Sequence, residues 1–212
     1  MDELLALGSG FGPLDWLAML TSLAYVVLAA RDNDWCWAFA AVSTAVWAYQ
    51  SFAVYALVSD GLLQVFYFVM AGVGLWRWRR CRADGRGKDS PRPTAGIRRM
   101  TGAEHLTVLA VGAAAGGLLY GLVSTNFTAA ATLPDALTTA FSVITTFLLV
   151  YRRLENWLYW VVIDLAYVWI YGKTGAYLFA LMMVINVGVA IYGYRHWRTE
   201  LDAANTARTT QV

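Results

Sequence analysis

The chain has 212 residues, of which 59% are hydrophobic and 14% charged, with a formal net charge of +2. A soluble domain carries about 25% charged residues, so this composition excludes one and leaves little chain for any domain outside a bilayer. The net charge excludes nothing by itself, because its distribution along the chain matters more. The chain begins acidic (Asp2, Glu3) where a secretory signal would be basic, so the first apolar run reads as a retained helix. Cys36 and Cys81 are expected to be free thiols, both near the side assigned below as cytoplasmic.

A short lead with the run GSGFG at Gly8 to Gly12 ends at Pro13. No strand precedes it and no Gly-Lys-Ser/Thr follows, so it reads as a flexible cap and not a phosphate loop. The first helix is expected from Asp15 to Ala30, ending at the polar Arg31 to Asp34, and the second from Trp35 to Val58. Ser59-Asp60-Gly61 reads as a turn with Asp60 as N-cap of the third helix, which continues to Trp78. From Arg77 to Arg99 the chain is rich in Arg, Gly and Pro and reads as a solvated loop. The fourth helix, Gly102 to Val123, is built of Ala, Gly, Leu and Val. Its small-residue pairs, Gly112 with Gly116 and Gly117 with Gly121, permit close helix approach. The fifth, sixth and seventh helices are expected at Asp135 to Tyr151, Asn156 to Tyr171 and Gly175 to Trp197, followed by a frayed polar tail. Three of the seven spans (first, fifth and sixth) are short for an upright crossing, which takes about 20 residues.

With the N-terminus outside, every Lys and Arg except Lys173 falls on the inner side. That is a strong positive-inside signal, so the expected orientation is N-terminus out and C-terminus in. The basic loop is a topology signal that touches anionic lipid; nucleic acid is not expected as a partner.

The first and last helix triplets look like copies. At an offset of 120, Asp15 pairs with Asp135, Ser22 with Ser142, Leu28 with Leu148 and Trp37 with Trp157. At an offset of 119, Gly74, Trp78 and Arg79 pair with Gly193, Trp197 and Arg198. Three helices reverse direction and the fourth helix restores it, so the copies run parallel. The expected fold is an all-α integral membrane protein with seven transmembrane helices in a parallel 3+1+3 plan, as in SWEET-type transporters. Its parts are a first repeat (14–80), a basic cytoplasmic loop (81–101), a linker helix (102–123) and a second repeat (135–198).

On the sixth helix Trp157, Trp160, Asp164 and Tyr171 share one face. An acid at membrane depth needs a partner or a wet cavity, and two indoles beside a carboxylate suit a flat, cationic ring. The same stripe also has a packing reading, with Asp164 bridging helices. At related depths lie Asn186 in the seventh helix, Gln64 and Tyr67 in the third, and Trp47 in the second. Their coincidence points to a central polar cavity between the triplets. There is no His-Glu-x-x-His, Gly-x-Ser-x-Gly or Walker motif, so no enzyme is expected. His105 and His196 read as solvated helix-end residues without a metal. The chain's lysines, Lys88 and Lys173, sit in expected loops, which excludes a retinal protein.

The segment Glu155 to Arg198, with ENW-x-x-W-x-x-x-D, then GKTGAYL and a closing G-x-x-x-W-R, resembles the C-terminal repeat of the PnuC family of vitamin transporters. The Asp60-Gly61-Leu62-Leu63-Gln64 start of the third helix is similar to that family's first repeat. The resemblance covers residues 14 to 198. It implies a facilitator, without cofactor or coupling ion, whose flux is driven by a cytoplasmic kinase that phosphorylates the substrate. Trp157 and Trp160 match the family's tryptophan pair, which resembles a clamp for an aromatic base. Asn186 and Gln64 then stand as hydrogen-bonding candidates, and Tyr67 and Trp47 as candidates by pseudo-symmetry. Asp164 either meets a cationic ring or braces helices, with the bracing role preferred. Nicotinamide riboside ranks first as substrate and thiamine second; a non-transporting membrane interaction protein is the reading from another class. The oligomeric state stays open, with a homotrimer as one option.

Overall fold

The structure, a computed structural model, describes residues 12–54, 58–84, 96–126 and 133–209. Among the described residues there are seven α-helices: α1 (Pro13–Ala30), α2 (Cys36–Ala53), α3 (Val58–Asp84), α4 (Gly102–Asn126), α5 (Leu133–Val150), α6 (Asn156–Thr174) and α7 (Tyr177–Thr209). Four of them (α1, α4, α5 and α7) are long and apolar enough to cross a membrane. The other three carry more polar content, including Gln50 in α2, Gln64 in α3 and Asp164 in α6. Large apolar side chains face outward, such as Leu106, Leu109, Leu118 and Leu122 of α4 and Val162 and Leu165 of α6. Ser43, Gln50, Thr138, Ser142, Thr145 and Asp164 are buried. Apolar outside and polar inside is the distribution a lipid solvent favours, since tails solvate leucine well and hydroxyls poorly.

The chain divides into two compact units, residues 1–96 with 195–212, and residues 97–194. In the first, α1 packs along α2 and α2 along α3. Pro13 opens α1 where no backbone donor is needed, and the Asp15 carboxylate accepts the Gly12 N–H at 2.8 Å. Asp15 is buried and also accepts from the Gln50 amide of α2. Trp37 lies flat against Gly74 of α3, where an added Cβ would come within 2.5 Å of the indole. The Trp37 ring meets Trp78 edge-on at 5.2 Å, and Trp78 meets Trp197 at 5.7 Å. Trp197 donates its indole N–H to the Ala29 carbonyl at 3.2 Å. Below this aromatic core Arg82 reaches back to the α1–α2 corner, with Nε on Asp34 at 2.9 Å and Nη2 on Asp32 at 3.3 Å. Replacing Arg82 by Met should lower stability by about 1–2 kcal/mol, because the pairs are only partly shielded from solvent. Arg82→Lys should recover less than half of that, since an ammonium cannot fork; chemical denaturation in detergent reads both.

In the second unit α4 packs on α5, and α5 on α6. Gly112 lies against the Phe141 ring, and a Cβ at Gly116 would stand 3.0 Å from the Leu137 Cα. Gly117 and Gly121 meet nothing, so only the first of the two expected small-residue pairs is used. Trp157 of α6 lies on Gly193 of α7, where a Cβ would fall 2.8 Å from the indole. The entry to α4 is tied to the α5–α6 corner: Arg98 N–H donates to Arg152 O at 3.1 Å, and Leu154 N–H to Arg98 O at 2.9 Å. Glu155 accepts the Met100 N–H at 2.8 Å, and Arg153 pairs with Glu104 at 2.6 Å. Glu155→Ala should therefore loosen the start of α4, seen as faster amide exchange at Met100 and its neighbours while α6 keeps its protection.

The α1–α2 and α5–α6 corners have the same internal construction. Asp32 (φ 54) and Arg152 (φ 55) both take the left-handed conformation. In the first corner Asp32 N–H bonds Ala29 O at 3.0 Å and Asn33 N–H bonds Leu28 O at 2.9 Å. In the second Arg152 N–H bonds Leu149 O at 2.9 Å and Arg153 N–H bonds Leu148 O at 2.8 Å. Each is a Schellman closure, and each is followed after five residues by the tryptophan that lies on glycine.

Several boundaries differ from the sequence reading. The second helix ends at Ala53, not Val58, because the chain must fold back to place Gly61 under the Phe52 ring. Asp60 does not cap α3; it sits inside the first turn and accepts the Ser51 hydroxyl. Helix α3 continues through the arginines to Asp84, since no Gly or Pro follows Gly74 before Gly85 and Arg82 anchors it. Residues 85–95 of the basic loop, and the lead through Phe11, lie outside the described residues. The tail expected to fray is helical to Thr209, supported by an Arg198–Asp202 pair one turn apart. Lys173 is not in a loop but in the last turn of α6, with its ammonium 4.6 Å from the Trp169 ring.

Candidate functional site

The candidate residues divide between the units. Trp47, Gln64 and Tyr67 belong to the first, where all three are half-buried and Tyr67 lies beside Phe66 at 5.4 Å between ring centroids. Trp157, Trp160, Asp164 and Asn186 belong to the second.

Within the second unit Trp157 and Trp160 differ. Trp157 is 2% exposed and covers Gly193, as Trp37 covers Gly74 in the first unit. Trp160, one turn further along α6, is half-buried. Asp164, another turn on, is 6% exposed and has no hydrogen bond or ion pair to described residues of its own unit. Further along, Tyr167 stacks on Tyr171 at 5.6 Å, and Tyr171 leans on Phe179 of α7. Asn186, mid-way along the apolar part of α7, holds its amide oxygen buried without a hydrogen-bond partner among the described residues. An unpartnered amide oxygen at membrane depth costs roughly 1–3 kcal/mol, so such an atom invites a donor.

Two features of the unit add to the sequence reading or correct it. The buried face of α5 is a stripe of hydroxyls, Thr138, Ser142, Thr145 and Thr146. Thr138 and Thr146 satisfy themselves on carbonyls of their own helix, at 3.0 Å and 2.8 Å. The Thr145 hydroxyl is fully buried with no partner among the described residues. Hydroxyls recurring at three- and four-residue spacing in an otherwise apolar helix were the available signal. The second feature is His105, which is not a free helix-end residue: its Nδ1 is 2.9 Å from the Tyr159 hydroxyl, and the rings stack at 5.8 Å. Among the described residues no three His, Cys, Asp or Glu side chains group as metal ligands. Cys36 is buried and Cys81 half-buried, and neither forms a disulfide among the described residues.

The first two motif residues, Glu155 and Asn156, have a local role. Glu155 holds the strand-like segment before α4, and the Asn156 amide donates to Arg153 O at 2.6 Å. They build the corner that sets the start of α6. What remains along α6 and α7 is an indole, an acid and an amide oxygen, spaced one turn apart on α6 and mid-way along α7. Chemically that set suits a small organic molecule with an aromatic face, positive charge and hydrogen-bond donors.

Comparison with known proteins agrees with a transporter. Residues 12–199 match the model of the nicotinamide mononucleotide transporter family. The chain is 24% identical over 197 residues to a nicotinamide riboside transporter, PnuC, of Neisseria mucosa, covering 88% of this chain and 73% of that protein. It superposes on the crystal structure of the vitamin B3 transporter PnuC with a TM-score of 0.74 at 19% identity, over 95% of this chain and 87% of that one. The chain belongs to the nicotinamide mononucleotide transporter family, a PnuC-type multi-pass membrane protein.

Proposed function

We propose that this protein is a facilitator that takes up nicotinamide riboside across a bacterial inner membrane. The observation that carries the reading is the family match across nearly the whole chain, joined to the name of the Neisseria relative. The chemistry of the candidate residues supports it. Nicotinamide riboside carries a fixed positive charge on a flat ring, a carboxamide and ribose hydroxyls. Trp160 supplies an indole face for the ring, worth about 0.5–2 kcal/mol. Asp164 supplies the opposite charge, and the Asn186 amide oxygen accepts from the carboxamide or a hydroxyl. Trp157 contributes by fixing α6 on α7, and Gln64, Tyr67 and Trp47 are the first repeat's contribution. This departs from the sequence reading on two points: Trp157 acts by packing, and Asp164 faces substrate because nothing in its own unit partners it.

The transport cycle follows from the repeat plan. Two parallel triplets joined by α4 rock about a central site, giving alternating access. The matching corners and the matching tryptophan-on-glycine contacts support the duplication. Glycine contacts and the clip at Arg98 tie α4 to α5 and α6, so the moving parts are α1 to α3 against α4 with the α5 to α7 triplet. Net flux needs no ion gradient when a cytoplasmic kinase phosphorylates the arriving substrate and traps it as an anion. The N-terminus lies outside and the C-terminus inside.

The test is ligand-dependent stabilisation of the purified protein, since a ligand that binds the native state raises its stability. Nicotinamide riboside at a hundredfold over its dissociation constant should add about 2.7 kcal/mol. A larger shift with thiamine would reassign the substrate within the family. No shift with any vitamin or nucleoside, together with no uptake in proteoliposomes loaded with kinase and ATP, would leave a membrane interaction protein as the reading.

A further inference from the structure

The first unit has an open cavity whose lining includes no residue assigned to transport. It lies at the α1–α2 corner and the end of α3, with a volume of about 400 Å³, and is lined by Arg31, Asp32, Asn33, Asp34, Trp35, Arg79 and Arg82. Its charges are not all matched. Arg82 is engaged by both aspartates. Arg31 and Arg79 are exposed and have no acidic partner among the described residues of their unit. Asn33 is used internally, accepting the Trp35 N–H at 2.9 Å. The Trp35 indole is left 66% exposed at the rim. One helix turn before Arg80 stands another exposed indole, Trp76, with the Arg80 guanidinium 5.5 Å from its ring.

We propose that this cavity binds a phosphate group, held between the Arg31 and Arg79 guanidinium groups. Two planar forks with free donors match the oxygens of a phosphate. The Arg82–aspartate pairs are already matched in charge, which leaves the anion to Arg31 and Arg79. A tryptophan with one wet edge is the side chain that prefers the boundary between headgroups and tails. The phosphate has two sources at that boundary, the headgroup of an anionic phospholipid or a soluble phosphate ester. On the orientation proposed above, with the N-terminus outside, the cavity lies on the inner face, where both occur.

The experiment uses the full-length protein in nanodiscs of either phosphatidylcholine alone or phosphatidylcholine with phosphatidylglycerol. Lipids retained through mild detergent extraction are counted by native mass spectrometry. Melting temperature is then measured in the phosphatidylcholine discs with and without 10 mM inorganic phosphate. The wild-type protein should retain phosphatidylglycerol several-fold over phosphatidylcholine, or be stabilised by phosphate, and the Arg31→Gln, Arg79→Gln double variant should lose that preference. Arg195→Gln, which removes an exposed arginine of the same unit outside the cavity, should keep it. Retained phosphatidylglycerol without a phosphate effect assigns the headgroup as source; a phosphate shift in phosphatidylcholine discs assigns a soluble ester. A double variant indistinguishable from wild type in both assays overturns the site, as does an equal loss in Arg195→Gln. Nicotinamide riboside binding by the double variant is measured alongside, so that loss of fold is recognised as such.

Discussion

Leucine in place of Gly74 or of Gly193 should prevent the protein from folding stably, and alanine at either site should cost about 1–3 kcal/mol by overpacking. An ideal Cβ at Gly74 would come within 2.5 Å of the Trp37 indole, and one at Gly193 within 2.8 Å of Trp157, both closer than real carbon contacts. Neither ring has an easy escape. Trp37 is 2% exposed and held edge-on by Trp78; Trp157 is 2% exposed and begins a helix whose start is fixed by the corner before it. Gly72 and Gly188 are the controls, because a Cβ there meets nothing. Alanine at those two should be neutral or stabilising by up to about 1 kcal/mol, as it is the better helix former. Thermal melts of the five proteins in one detergent decide the matter. Gly74→Ala and Gly193→Ala as stable as Gly72→Ala would mean that the two indoles do not fix their helices.

The pairing of those sites shows how much of the fold is legible in the sequence. Trp37 with Trp157 and Gly74 with Gly193 were matched by sequence offset alone, and in each unit the matched tryptophan lies on the matched glycine. The reading did not foresee that contact, because sequence offset relates copies to each other and says nothing of which residues touch within a copy. Helix number was legible because apolar runs are long and interrupted by polar corners. Helix ends were less so: α3 and α7 run on through arginine-rich and polar sequence without a breaker, and polarity alone does not end a helix. The corner at Asp32 and Arg152 was invisible because left-handed closures usually announce themselves by glycine, and neither residue is one. The motif residues Glu155 and Asn156 were legible as a family mark but not as corner-builders, since their partners Met100 and Arg153 are set by tertiary folding.

Asp164→Asn should raise the melting temperature of the empty protein and weaken binding of nicotinamide riboside about ten- to hundredfold. The two effects have one origin. A carboxylate 6% exposed in the middle of α6, without a hydrogen bond to described residues of its own unit, is an expensive group to keep charged in a membrane. Asparagine has nearly the same shape and no charge, so the substitution removes that cost from the folded state. A bound cation at about 4 Å recovers up to about 4 kcal/mol from the acid at an effective dielectric of 20. Desolvation of the pair cancels a large part of this, and 1.4 kcal/mol per tenfold then gives the stated range, of about 1.4–2.8 kcal/mol. The charge is tested directly by the reduced dihydropyridine form of the substrate, which has the same outline and a neutral ring. Wild-type protein should prefer the oxidised cation strongly, and Asp164→Asn should keep only the smaller preference that the Trp160 indole supplies, about 0.5–2 kcal/mol. A helix-bracing acid gives the reverse pattern: the variant melts earlier and its preference for the cation is unchanged. Asn186→Leu makes the companion measurement. It should stabilise the empty protein by removing a buried, unpartnered amide oxygen, and it should weaken both forms of the substrate equally, because that oxygen accepts a hydrogen bond and does not respond to ring charge.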